Sequence, residues 1–262
     1  MLDTFVHQFF LEAATLLGLL LGSFYNVCIH RYQTKESILW PPSHCPACKR
    51  QLAWWENIPL VSYLLLRGRC RQCRQHISWR YPLVEALSGL LALVLAWKFG
   101  PGPIWLTYMF FVGLLLVASF IDFDSYILPD MFTLGGAALA LPAAAFILPV
   151  GWQSGLIGAL AGAGIFLLLQ QGYKWLRGIH GLGTGDIKLM LMLGALVGWQ
   201  GLPLMILLSA LSALVVSFLY LKRDASQGMR TAIPFGPFLS LGAVLYLLFG
   251  PEILAVYLRL VL

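Results

Sequence analysis

Three groups of residues in this chain have the types and spacing to do chemistry. The first is Gly181-Leu182-Gly183-Thr184-Gly185-Asp186-Ile187-Lys188, a glycine run that ends on a carboxylate where a strongly apolar segment begins. The second is Asp122-Phe123-Asp124-Ser125-Tyr126-Ile127-Leu128-Pro129-Asp130, an acidic cluster that closes another apolar segment. The third is a pair of C-x-x-C knuckles, Cys45-Pro46-Ala47-Cys48 and Cys70-Arg71-Gln72-Cys73. An ionisable group at the mouth of a hydrophobic span is costly to keep, which makes each acidic stretch a functional candidate.

Several reaction classes lack their residues. No G-x-S-x-G elbow is present, and neither is H-E-x-x-H. The glycine run is not a phosphate loop, because it lacks the G-x-x-x-x-G-K-[ST] spacing and follows no strand. What remains is an aspartyl dyad, with one acid from each of the two acidic stretches. Two carboxylates that share one proton can activate a water and protonate a leaving amine, and their titration belongs to the pair. Helix capping is the competing role: Asp124 and Asp130 suit it, with Pro129-Asp130 reading as a helix start, and so does Asp186. The glycines around Asp186 shift the weight towards chemistry, since they free the backbone and let an extended substrate approach closely.

Two knuckles about 20 residues apart match a structural zinc site whose ligands are Cys45, Cys48, Cys70 and Cys73. Lys49, Arg69 and Arg71 would offset the thiolate charge. Disulfides or redox dithiols are the alternative, disfavoured in a reducing cytoplasm. His76 and His44 also stand at ligand-like spacings, so a shell of three cysteines and one histidine stays open. Cys28 lies in an apolar segment and reads as a small buried hydrophobe.

The elements that must position these groups are helices in a membrane. The chain is 60% apolar and only 11% charged, against roughly a quarter charged in a soluble domain. The expected fold is an all-α polytopic membrane protein with about eight transmembrane helices and a cytoplasmic zinc-binding insertion between the first and second. Spans are expected at roughly 8–29, 83–99, 103–121, 131–149, 152–176, 187–200, 202–221 and 235–250, with 251–262 either a terminal helix or part of the last span. Residues 1–30 would be the first transmembrane helix, 31–82 the basic insertion and 83–262 the membrane core. The acidic start reads as a retained span, not a cleaved signal. Gly18 with Gly22, and Ser154 with Gly158 and Gly162, are small-residue ladders for close helix packing.

The net charge of +6 does not indicate nucleic acid. Nine Lys/Arg fall within 31–82 against Glu36 and Glu56, and the remaining residues are close to neutral. A basic segment between spans fixes topology with its positive side inside, where anionic lipid reinforces it. Counting crossings then brings the connections 122–130, 174–186 and 222–234 inside, with Lys174, Arg177, Lys222, Arg223 and Arg230. Asp122 and Asp186 fall at the cytoplasmic ends of their spans.

These motifs resemble those of the type IV prepilin peptidases, a GxGD family of membrane aspartyl proteases. Gly183-Thr184-Gly185-Asp186-Ile187-Lys188-Leu189 matches the family signature, and Asp122 to Asp130 matches its D-x-D-x-x-x-x-P-D segment. Gly22-Ser23-Phe24-Tyr25-Asn26-Val27 with Ile29-His30-Arg31, Trp55-Glu56-Asn57-Ile58-Pro59, Arg80-Tyr81-Pro82-Leu83-Val84-Glu85 and Pro234-Phe235-Gly236-Pro237-Phe238 resemble the rest, in order along nearly the whole chain. His180 departs from the usual Glu-Ala or Glu-Gly before the glycine run.

The resemblance implies Asp122 and Asp186 as catalytic residues and cleavage of the basic leader from type IV prepilins or type II secretion pseudopilins at the cytoplasmic face of a bacterial inner membrane. It also implies methylation of the new N-terminus with S-adenosylmethionine, although no Rossmann-like motif locates the donor. The rival readings are a proton-coupled transporter using the same two acids, which leaves the knuckles and glycines unexplained and would favour an internal repeat, and a zinc-ribbon adaptor without chemistry.

Overall fold

The computed structural model describes residues 2–178, 182–223 and 234–261. Nine α-helices are found among them: α1 (Leu2–Thr34), α2 (Val61–Leu65), α3 (Arg80–Phe99), α4 (Pro103–Ser125), α5 (Asp130–Phe146), α6 (Trp152–Arg177), α7 (Thr184–Val197), α8 (Leu202–Arg223) and α9 (Gly236–Val261), with a short 3-10 turn at Trp54–Asn57. The β-structure among the described residues is confined to two isolated bridges, His44 with Gln51 and Arg69 with His76. The chain forms two compact units, Met1–Val117 and Ala118–Leu262.

Six helices (α1, α3, α4, α6, α8 and α9) are long and apolar enough to cross a membrane. The other two expected spans are also helices but shorter, 17 residues in α5 and 14 in α7. At 1.5 Å per residue α7 is about 21 Å long, well short of a hydrocarbon core of about 30 Å. The reason is its surroundings. From Leu189 to Val197 only Leu191 escapes full burial, and a helix enclosed by protein can end at membrane depth because its terminal polar groups meet protein. Residues 251–261 continue α9 through Pro251.

In the first unit α1 lies directly on α3. A Cβ on Gly18 would stand 2.5 Å from Ala92 Cβ and 2.7 Å from the Ser88 carbonyl, and one on Gly22 would stand 2.7 Å from Glu85 Cα. Asn26 Nδ2 donates to the Tyr81 carbonyl at 2.9 Å, tying the end of α1 to the start of α3. In the second unit α7 packs against α5, α6 and α9. The α6 ladder presses on α7: a Cβ on Gly158 would lie 2.3 Å from the Gly194 carbonyl, and one on Gly194 2.2 Å from the Gly158 carbonyl. Both glycine ladders expected from the sequence therefore serve helix packing.

A methyl at Gly194 meets backbone on α6 that cannot turn aside. Gly194→Ala is expected to destabilise the second unit by about 1–3 kcal/mol, read as a lower melting temperature in detergent. Gly164→Ala, also in a helix but with open space around its Cβ, is expected to be neutral or stabilising. Equal melting of the two variants would refute the packing role.

Candidate functional site

Asp122 sits in the last turn of α4 and is 5% exposed, while Asp186 in the first turn of α7 is 8% exposed. The two carboxylates lie close enough for the charge of one to act on the other. Each has a backbone donor. The Gly236 N–H, at the start of α9, donates to Asp122. The Gly183 N–H, at the N-cap of α7, donates to Asp186 three residues on. That second bond is half of a capping box, so the capping role expected for Asp186 is met alongside its approach to Asp122.

Two glycines make the approach sterically feasible. A Cβ on Gly236 would lie 2.6 Å from Asp122 Oδ2 and 3.0 Å from Leu128 Cδ1, and one on Gly185 would lie 3.0 Å from Leu128 Cβ. Leu128 thus wedges between the α7 and α9 starts and supports both. Gln170, buried in α6, donates to the Leu182 carbonyl at 2.8 Å and ties down the glycine segment. Gly181 and His180 lie outside the described residues, as does the connection 224–233 with Arg230. The remaining acids diverge from the pair: Asp124 is exposed, and Asp130 opens α5 as expected while accepting from Lys188 Nζ at 2.6 Å on the surface.

Sequence reasoning missed three positions here. Gly236 stood only in a recognised motif, without a role. Leu128 lay inside the acidic cluster and was passed over for its acids. Gln170 carried a usable signal, an amide in an otherwise apolar helix.

The four knuckle cysteines form a second site, in the first unit. Their sulfurs lie within 4.8 Å of one another, with Cys45 to Cys73 at 3.8 Å and Cys48 to Cys70 at 4.0 Å. A tetrahedral ion with Zn–S bonds of about 2.3 Å spaces its sulfurs by about 3.8 Å, so the cluster could hold such a metal. The group does not include His44 or His76, and all five cysteines are free thiols. The knuckles share one backbone design. The Lys49 N–H donates to the Cys45 carbonyl and the Arg74 N–H to the Cys70 carbonyl, and both Lys49 and Arg74 take left-handed φ of 59°. Backbone N–H groups of Cys73 and Gln72 aimed at Cys70 hold its thiol down to about 6, which favours the ligating thiolate.

Glu56 braces the insertion. Its carboxylate accepts from Arg50 Nη2 at 2.6 Å and from the Ala53 N–H at 2.8 Å, with the side chain 1% exposed. The hydrogen bond from Arg50 holds this carboxyl below its ordinary value of 4.5.

Paired acids at helix ends, in a chain with six membrane-length helices and a four-cysteine cluster, define a multi-pass membrane protein built like an aspartyl protease. The family model for the bacterial Peptidase A24 N-terminal domain matches residues 16–99, and that of the type IV leader peptidase family matches residues 109–218. The chain is 38% identical to the prepilin leader peptidase/N-methyltransferase of Pseudomonas putida, covering 94% of this chain and 93% of the relative. It is 39% identical to the protein of that name from Stutzerimonas stutzeri, over 95% and 94%. For the one from Pseudomonas aeruginosa the figures are 38% identity over 95% and 94%. No solved structure matches. The chain belongs to the type IV leader peptidase family.

Because the Glu56 carboxyl is held low in the folded state, its stabilisation is fully present above about 4.5 and is lost as pH falls through the lower folded value. The stability difference between wild type and Glu56→Gln, followed by Trp54 and Trp55 fluorescence, is expected to be largest at neutral pH and to shrink on acidification. A difference independent of pH would refute the Glu56–Arg50 brace.

Proposed function

We propose that this chain is a membrane-embedded aspartyl endopeptidase that removes the basic leader from type IV prepilins or type II secretion pseudopilins, and that it N-methylates the new terminus with S-adenosylmethionine. The observation that carries the protease reading is the convergence of Asp122 and Asp186, both buried and both held by backbone N–H groups. The names of the relatives favour it over a proton-coupled transporter.

In this mechanism the substrate's apolar helix lies along the core, 83–262, and brings the scissile bond to the two acids. One carboxylate takes a proton from water as the water attacks the scissile carbonyl, and the other gives its proton to the departing amine. The fixed N–H donors of Gly236 and Gly183 hold the two acids in register, so positioning is complete before substrate arrives. The glycine segment leaves room for an extended backbone beside Asp186. The positive-inside bias supports a cytoplasmic position for the dyad and the insertion 31–82. Zinc on Cys45, Cys48, Cys70 and Cys73 is structural in this reading, since four thiolates close its shell. S-adenosylmethionine, when bound, supplies an electrophilic methyl group.

Asp122→Asn and Asp186→Asn are each expected to lower prepilin cleavage in detergent at least about a hundredfold, with the variants still accumulating in the membrane and keeping their metal. Asp124→Asn and Asp130→Asn should retain most activity. An Asp122→Asn variant that shifts prepilin mobility at the normal rate would reject the dyad. Elemental analysis is expected to find about one zinc per chain and to lose it in the double variant Cys48→Ser/Cys70→Ser. Full zinc retention there would reject the four-thiolate site.

A further inference from the structure

The stripe of α6 that grips α7 does not end at its glycines. Gly158, Gly162, Phe166 and Gln170 follow one another four residues apart and all are buried, so they share one face of the helix. The last two differ in kind from the glycines, one a large ring and the other a polar amide. An amide buried among apolar side chains is costly unless it is satisfied. Gln170 aims its donor at one backbone group, the Leu182 carbonyl at 2.8 Å. That carbonyl belongs to the same peptide unit as the Gly183 N–H. The unit is planar, and in its trans form the C=O and N–H point in opposite directions. One end of the Leu182–Gly183 plane is thus held by Gln170, and the other meets Asp186.

One turn earlier on the same face, Phe166 stacks on Phe235, with ring centroids 6.3 Å apart and planes inclined by 25°. Phe235 immediately precedes Gly236, whose N–H donates to Asp122. The Phe235 carbonyl accepts from the N–H groups of Phe238 and Leu239. The Phe235–Gly236 unit is therefore held at its carbonyl by α9 and through the Phe235 ring by α6. Two successive residues of one stripe each grip the residue that comes before a donor glycine, one for each acid of the pair. A glycine segment would otherwise leave such a plane free to turn. A carbonyl that accepts a hydrogen bond also polarises its peptide unit, which makes the N–H at the far end a stronger donor.

We infer that Phe166 and Gln170 are positioning residues for the dyad: they aim the Gly236 and Gly183 N–H groups and thereby set Asp122 and Asp186 in register. The inference rests on the protease half of the proposed function. It gives α6 a task beyond packing. Farther along the same stripe Gly158 locks α6 against Gly194 of α7, so both donors are held from a helix fixed to the one that carries Asp186.

The test follows prepilin cleavage by the zinc-loaded full chain in detergent, with kcat separated from KM. Gln170→Met keeps the length of the side chain and removes the donor, and is expected to lower kcat about tenfold with KM unchanged. Phe166→Leu is expected to lower kcat in the same way by a smaller factor. Gln171→Met, at the next and exposed position, is expected to cleave as the wild type does. Amide exchange read residue by residue is expected to be slow at Gly183 in the wild type and faster there in Gln170→Met. A purely structural role predicts a lower melting temperature with kcat of the folded protein intact, and that outcome in Gln170→Met overturns the inference, as does a change confined to KM. So does a wild-type Gly183 amide that exchanges as fast as an unstructured peptide, a result that needs no variant to fold. Where Asp122→Asn is inactive in the same assay, each of these outcomes leaves the protease standing; an active Asp122→Asn overturns the protease reading itself.

Discussion

Burying two carboxylates within reach of each other's charge is the constraint around which the second unit is organised. Each loses solvation in an apolar setting and each repels the other, so the arrangement persists only where the protein supplies compensating dipoles. Asp122 presents the harder case, since it lies at the C-terminal end of α4, where the helix dipole disfavours an anion. The N-terminus of α9 answers this by aiming the Gly236 N–H at it. Asp186 stands at the favourable end of its own helix and takes the Gly183 N–H. Three helix termini are thus brought to one place, and Leu128 fills the space between two of them.

Holding those termini still is a packing problem, solved by removing side chains. The α6 backbone approaches α7 so closely that a methyl on either Gly158 or Gly194 would strike a carbonyl on the other helix. Gly136 meets Met192 from α5 in the same manner. The large residues of α7, including Leu189, Met190, Met192 and Leu193, are wholly buried in return. A helix locked this way leaves Asp186 little room to drift, which matters for the proposed chemistry because a misplacement of about 1 Å can cost about a hundredfold in rate. Its shortness follows from the same enclosure.

Much of this was legible in the residues, and the exceptions have physical causes. The two acids, the four cysteines and the helical spans announce themselves because ionisable groups are rare in apolar sequence and C-x-x-C spacing is distinctive. The length of α7 was not legible: a helix surrounded by protein and one surrounded by lipid are both apolar all round, so composition cannot separate a buried 14-residue helix from a full span. The choice between His44, His76 and the cysteines needed coordinates, because ligand spacing along a chain does not fix which atoms converge. The left-handed turns at Lys49 and Arg74 were hidden for the opposite reason. Glycine normally marks such a backbone, and here two cations occupy it.

The two units differ in how completely they satisfy their own buried charge. At the dyad, each of the two carboxylates has one donor from within the chain, and both donors are backbone groups that no rotamer change can withdraw. Such a pair is preorganised, as the proposed cleavage requires. In the first unit, Arg31 is similarly complete, its guanidinium donating to the carbonyls of Ser37, Ile38 and Pro41, and Glu56 and Glu85 have their partners. Glu36 Oε2 is buried without one. The first unit therefore carries a buried acceptor whose desolvation is not offset, a cost of about 1–3 kcal/mol, whereas the second offsets the burial of two neighbouring acids with backbone dipoles.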